Sequence, residues 1–156
     1  MSQAEHSADH KKVRDIAAQI VDRYSSTAYA AMAALGGAKA AFITGDLAAA
    51  RTQLKWVIDN ASEDAVRDVA RLRLAGVLLD ENNHDEALKI LDAVPVESLT
   101  GLFADLRGDV LAAQGRNAEA RSAYQLALDR SEANSGYRAT IQLKLDALGD
   151  AAPAAR

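Results

Sequence analysis

Cysteine is absent from the 156 residues. A disulfide framework, a thiolate nucleophile and any zinc–cysteine site go with it, while either redox compartment stays open. Aromatic residues are scarce, at 4% of the chain with a single tryptophan. Positive charge is not gathered anywhere: the net charge is −4, and a nucleic-acid binder needs a basic face to neutralise phosphates. Nucleic acid is therefore not an expected partner. A bilayer-spanning run is also missing, since a membrane core needs about 20 predominantly apolar residues. The least polar stretch, residues 28–43, is alanine and glycine rather than leucine and valine, and Lys39 interrupts it. The N-terminus, Met1-Ser2-Gln3-Ala4-Glu5-His6, lacks the basic and apolar regions of a signal peptide. The expectation is either a cytosolic protein or a soluble piece of something longer.

What is present points to packed helices. Hydrophobic residues at 49% and charged residues at 26% are the balance of a globular protein, and the length suits one domain. Alanine clusters at 28–34 and 48–50. It is the best helix former and the smallest side chain that still lets two helices approach closely.

Residues 1–10 are polar and are expected to be disordered. From Val13 the apolar residues Ile16, Ala17, Ile20, Val21 and Tyr24 follow at helical spacing. Ser25-Ser26-Thr27 breaks that pattern and offers caps. Beyond it the chain repeats itself. At an offset of 33, Ala75 falls on Gly108, Leu78 on Leu111, Asn82 on Gly115, Ala87 on Ala120 and Leu91 on Tyr124. At an offset of 37, Ala38 falls on Ala75, Phe42 on Leu79, Gly45 on Asn82, Ala50 on Ala87 and Leu54 on Leu91.

Three helix hairpins are the physical reading. Paired helices whose axes lie about 8–10 Å apart leave no room for large residues at the crossing. Ala38 and Ala50, Ala75 and Ala87, and Gly108 and Ala120 are assigned to those crossings. Gly45-Asp46, Asn82-Asn83 and Gly115-Arg116-Asn117 supply the turns and the following caps. Pro95 is expected to end the second helix of the middle hairpin. Tyr137, Ile141, Leu145 and Leu148 make a last amphipathic helix that caps the stack. The expected fold is all-α: a right-handed solenoid of antiparallel hairpins. Its parts are a half repeat at 11–25, hairpins near 28–60, 64–95 and 100–131, a capping helix near 135–148 and a flexible tail at 150–156.

The small residue, turn and alanine at these spacings match the tetratricopeptide pattern. The run Leu106-Arg107-Gly108-Asp109-Val110 is more specific. Ala104-Asp105 precedes it, and Gly115 and Ala120-Arg121-Ser122-Ala123-Tyr124 follow. With Leu72-Arg73-Leu74-Ala75 one repeat earlier, it resembles the periplasmic domain of YfgM-like proteins, ancillary subunits of the bacterial Sec translocon. The likeness covers roughly residues 25–148. It implies a tetratricopeptide-like domain behind a transmembrane anchor, on the periplasmic side of the inner membrane. It also implies SecYEG and a prolyl-isomerase-type chaperone as partners. The anchor has no counterpart in these residues. A cytosolic adaptor or assembly factor of the same fold is the alternative, and self-association through the N-terminal edge is a third possibility.

No catalytic residue, cofactor or metal is expected. No GxSxG, P-loop, HExxH or GxGxxG motif occurs. His6 and His10 are four apart but lack a third ligand, and His84 belongs to a turn. Asp105 and Asp109 share a helix face that Arg107 does not, and a solvated or partner-facing edge is the expectation for them. Trp56 and Phe103 are assigned to the core. The expected working surface is the concave face lined by the first helix of each hairpin. It comprises Met32, Leu35, Lys39 and Phe42, then Val69, Leu72, Arg73, Gly76 and Leu79, then Asp105, Asp109 and Ala112. Lysines and asparagines that clamp a C-terminal carboxylate in some tetratricopeptide domains are replaced by Leu35, Leu72 and Asp105.

Overall fold

The computed structural model describes residues 3–132 and 135–149. Eight α-helices follow one another, and no strand occurs among the described residues. They are α1 (Gln3–Tyr24), α2 (Ala28–Ile43), α3 (Leu47–Asn60), α4 (Asp64–Asp80), α5 (His84–Leu91), α6 (Thr100–Ala113), α7 (Asn117–Asp129) and α8 (Gly136–Ala147). Each packs on the next, and the first helices of successive hairpins also touch, α2 on α4 and α4 on α6. This is an all-α helical repeat solenoid.

The turns inside the hairpins are three copies of one device. Gly45, Asn82 and Gly115 adopt positive φ of 78°, 58° and 73°. In each, the following N–H reaches back to the helix just ended: Asp46 to the Ala41 carbonyl at 2.9 Å, Asn83 to Leu78 at 2.8 Å, Arg116 to Leu111 at 2.9 Å. These six-to-one bonds, with a shorter one from each positive-φ residue, occupy carbonyls that a helix end leaves unpaired. Only the first copy adds a side-chain cap, with Asp46 accepting from the Ala49 N–H at 3.1 Å. In the third copy Arg116 is the cap residue and Asn117 is already helical, so the capping role expected of Asn117 is corrected.

Two further expectations change. Residues 3–10 were expected to be disordered, yet α1 is continuous from Gln3. Polarity alone does not break a helix, and nothing in 3–24 lacks an N–H or needs a positive φ. The helix before Pro95 ends at Leu91, three residues earlier than the proline requires. The chain then turns through one 3-10 turn at Glu97–Leu99. Asp68, only 2% exposed, fixes this connection by accepting the Val96 N–H at 2.8 Å while holding Arg71 at 2.7 Å. The apolar stripe of α1 is only partly covered. Ala17 is buried, but Val13, Ile16 and Tyr24 are exposed. The tail at 150–156 lies outside the described residues.

The expected crossing residues Ala38, Ala50, Ala75, Ala87, Gly108 and Ala120 are all buried. Around them lie the largest fully buried side chains, Leu54, Leu74, Leu78, Ile141, Val57 and Val110. Each such burial is worth about 1.5–3 kcal/mol. The core has two parts: a large cluster spanning α2 to α6, and a smaller one over α6, α7 and α8, with Leu88 packed against both. Phe103 is buried and Trp56 packs half-buried against the larger cluster.

Candidate functional site

The solenoid leaves a broad depression on the face made by the first helices. Its volume is about 450 Å³. Helix α2 supplies Ala38, Lys39 and Phe42, and α4 supplies Arg73, Gly76, Val77, Leu79 and Asp80. Leu54 and Leu106 complete the lining from α3 and α6. Small residues make this hollow possible. At Gly76 an added Cβ would meet nothing within 4 Å, so a larger side chain there would occupy the hollow.

Of the surface candidates, Lys39, Phe42, Arg73, Gly76 and Leu79 therefore meet in one groove. Phe42 is 44% exposed at its lip, and Met32 is 61% exposed farther along α2. Leu35 does not belong there: it is 6% exposed and part of the core. Leu72 and Val69 are half-buried and pack against that same cluster. A helix face about 100° wide cannot give all its residues to a groove when a neighbouring helix claims one edge.

Asp105 and Asp109 also leave the candidate surface. Asp105 is 7% exposed, accepts from the Tyr137 hydroxyl at 2.6 Å and takes both oxygens to Lys144 Nζ at 2.9 Å. Asp109 accepts from the Tyr124 hydroxyl at 2.8 Å and from Lys144 Nζ at 2.8 Å. The two carboxylates do share a face, as their spacing requires, and α8 places one ammonium between them. The ammonium also lies 5.6 Å from the centre of the Tyr124 ring, within reach of a cation–π attraction. The expected solvated or partner-facing edge is instead a lock between α6 and the capping helix. Arg107, on another face, pairs with Asp92 at 2.8 Å.

This lock shifts its members' proton affinities. Burial raises the Tyr124 hydroxyl, and donation to Asp109 raises it further. Tyr137 rises by burial and by its bond to Asp105. For Lys144, burial works against the charge, but the bonds to Asp109 and Asp105 more than offset it and the net shift is upward. All three groups hold their protons more firmly than in water. None is set up for proton transfer near neutrality.

Among the described residues no group of three or more His, Asp or Glu side chains could hold a metal ion. The side chain of His6 lies outside them, and His84 is the first, half-buried residue of α5. No described helix is long and apolar enough to cross a membrane.

Sequence reasoning missed Asp68, Lys144 and the partners of Asp105. Their bonds span 28 to 39 residues, and no local pattern announces such a pairing. One signal was legible in hindsight: an aspartate at Asp105 where the earlier copies have Leu35 and Leu72.

Comparison with known proteins agrees with the repeat architecture. Residues 1–150 match the model of the tetratricopeptide repeat-like domain family. The ancillary SecYEG translocon subunit of Neisseria gonorrhoeae is 32% identical over 95% of this chain and 71% of its own length. That of Escherichia coli is 32% identical over 77% of this chain and 58% of its own length. That of Haemophilus influenzae is also 32% identical, over 70% of this chain and 53% of its own length. The segment matched is thus little more than half of the latter two relatives. No solved structure gives a significant match. With hairpins, crossings and turns in register over almost the whole chain, the protein belongs to the tetratricopeptide repeat-like family that includes the ancillary SecYEG translocon subunits.

Proposed function

We propose that this chain is the protein-holding domain of an ancillary Sec translocon subunit, working by binding rather than by turnover. The observation that carries the reading is the open groove on the first helices. It is apolar at its floor, bordered by Lys39, Arg73 and Asp80, and unclaimed by any other described part of the chain. Such a surface suits an extended or helical apolar segment. The relatives' shared name supports SecYEG as the assembly it serves. In this reading the domain stands on the periplasmic side of the inner membrane. There it meets a membrane-anchored prolyl-isomerase-type chaperone or newly exported chains.

Retention of solubilised SecYEG, or of the soluble part of such a chaperone, on immobilised chain tests the proposal. Phe42→Asp at the exposed lip leaves the helical circular dichroism intact and weakens retention about tenfold, which corresponds to roughly 1.4 kcal/mol. Undiminished retention by a fully helical Phe42→Asp variant would move the contact away from the groove.

A further inference from the structure

Two glycines in the first helices have no role in folding that the packing reveals. Gly37 and Gly108 sit at close approaches: an added Cβ would lie 3.0 Å from the Ala17 Cβ in one case and 2.4 Å from the Tyr124 ring in the other. Gly36 and Gly76 are different. A Cβ at either would meet nothing within 4 Å, and neither has a positive φ. Both lie inside helices, α2 and α4, where glycine is less favourable than alanine. The space they leave opens outward, and at Gly76 it opens into the groove.

The repeat register places a cation beside each opening. An offset of 37 aligns Lys39 with Gly76 and Gly36 with Arg73. Lys39 and Arg73 both line the groove, and among the described residues neither forms an ion pair. Most of the other arginines do, including Arg71 on α4 and Arg107 on α6. The only acidic side chain of the lining, Asp80, is two helical turns along α4 from Arg73. Arg73 and Asp80 thus mark opposite ends of the α4 side of an apolar trough, with Lys39 across from Gly76 between them.

We propose that the groove takes an apolar peptide segment bearing a carboxylate. One of its apolar side chains sits over Gly76 against Phe42, Leu79 and Leu106, and the carboxylate lies between Lys39 and Arg73. This rests on the groove being the binding surface and adds the chemistry of its occupant. The cations recognise a negative group, the glycine seat lets the occupant's backbone come close, and Asp80 sets its direction by repelling the acidic end. A protein segment, which carries apolar and charged side chains along its length, fits a lining that mixes apolar side chains, Lys39, Arg73 and Asp80 better than a free fatty acid, whose single charge ends an otherwise apolar tail.

Fluorescence anisotropy on the intact chain distinguishes the parts. The probes are a labelled, amidated heptapeptide, Ser-Leu-Leu-Glu-Leu-Ala-Ser, its Glu→Gln counterpart, and unlabelled decanoate as competitor. The glutamate peptide binds at least about fivefold tighter than the glutamine peptide, and Lys39→Gln with Arg73→Gln removes that difference. Gly76→Ala raises the melting temperature, because alanine favours the helix, and yet weakens both peptides several-fold. Equal binding of the two peptides to the parent overturns the carboxylate. Unchanged binding by Gly76→Ala overturns the seat. In both cases the groove itself stands as long as Phe42→Asp still weakens the peptides. Failure of both peptides to bind the parent, or binding of decanoate alone, overturns the inference. Binding indifferent to Phe42→Asp removes the groove reading as well.

Discussion

At the scale of residues, the repeat is held by complementary sizes rather than by identical side chains. The same crossing is filled three ways: Ala38 with Leu54 in register, Ala75 with Leu91, and Gly108 with Tyr124. In the third the ring is larger, and the residue facing it has lost its methyl. A Cβ on Gly108 would sit 2.5 Å or less from two carbons of that ring. The ring cannot swing aside cheaply, because it is 3% exposed and its hydroxyl is bound to Asp109. Gly108→Ala should therefore cost about 1–3 kcal/mol despite alanine's better helix propensity. Tyr124→Leu in the same chain should recover part of the loss, less whatever the Asp109 bond contributes. Urea denaturation of the two single variants and the double variant measures the coupling. Strictly additive changes would mean that the two side chains do not share the crossing.

At the scale of elements, three turns perform one task with different residues. Gly45 and Gly115 reach positive φ freely, whereas Asn82 at φ 58° does so with a Cβ in place. Left-handed backbone costs an L-residue roughly 1–2 kcal/mol, less for asparagine. Gly115→Ala should lower stability by about 1 kcal/mol, and Asn82→Gly should raise the urea midpoint slightly. A Gly115→Ala chain with an unchanged midpoint would show that the third turn does not need its left-handed residue. These elements were legible in the sequence because their causes are local. Alanine at a crossing, glycine after a last helical turn and Thr27 before α2 each act within a few residues. What stayed hidden depends on distance along the chain. Asp68 meets Val96 across the hairpin, and the Asp105–Lys144 pair joins helices two elements apart. The groove was half legible for the same reason. The periodicity put Lys39, Phe42, Arg73 and Leu79 on one face, and all four line the groove, but which of their neighbours a second helix would cover, Leu35 above all, is decided by packing.

At the scale of the whole molecule, a stack of hairpins is only as closed as its last helix. Helices α2 to α6 share the larger core, and α8 joins through the smaller one and the Asp105–Asp109–Lys144 lock. Nearest-neighbour coupling then predicts that α8 departs before the rest. Alkali is the lever that selects it. Tyr124, Tyr137 and Lys144 all have raised proton affinities in the fold, so the native state holds protons that the unfolded chain releases. Their contribution is complete below the ordinary tyrosine and lysine range and is lost as pH rises through about 10 and beyond. The urea midpoint should hold near pH 8 and fall towards pH 11, with a shallower fall in Tyr137→Phe, which has one such proton fewer. The part of the tyrosinate absorbance that Tyr137→Phe removes should appear before the fluorescence of Trp56 changes, because Trp56 packs on the larger core. If Tyr137→Phe has the parent's slope, or the two signals move together, the capping helix does not melt as a separate unit and the lock does not govern the stack.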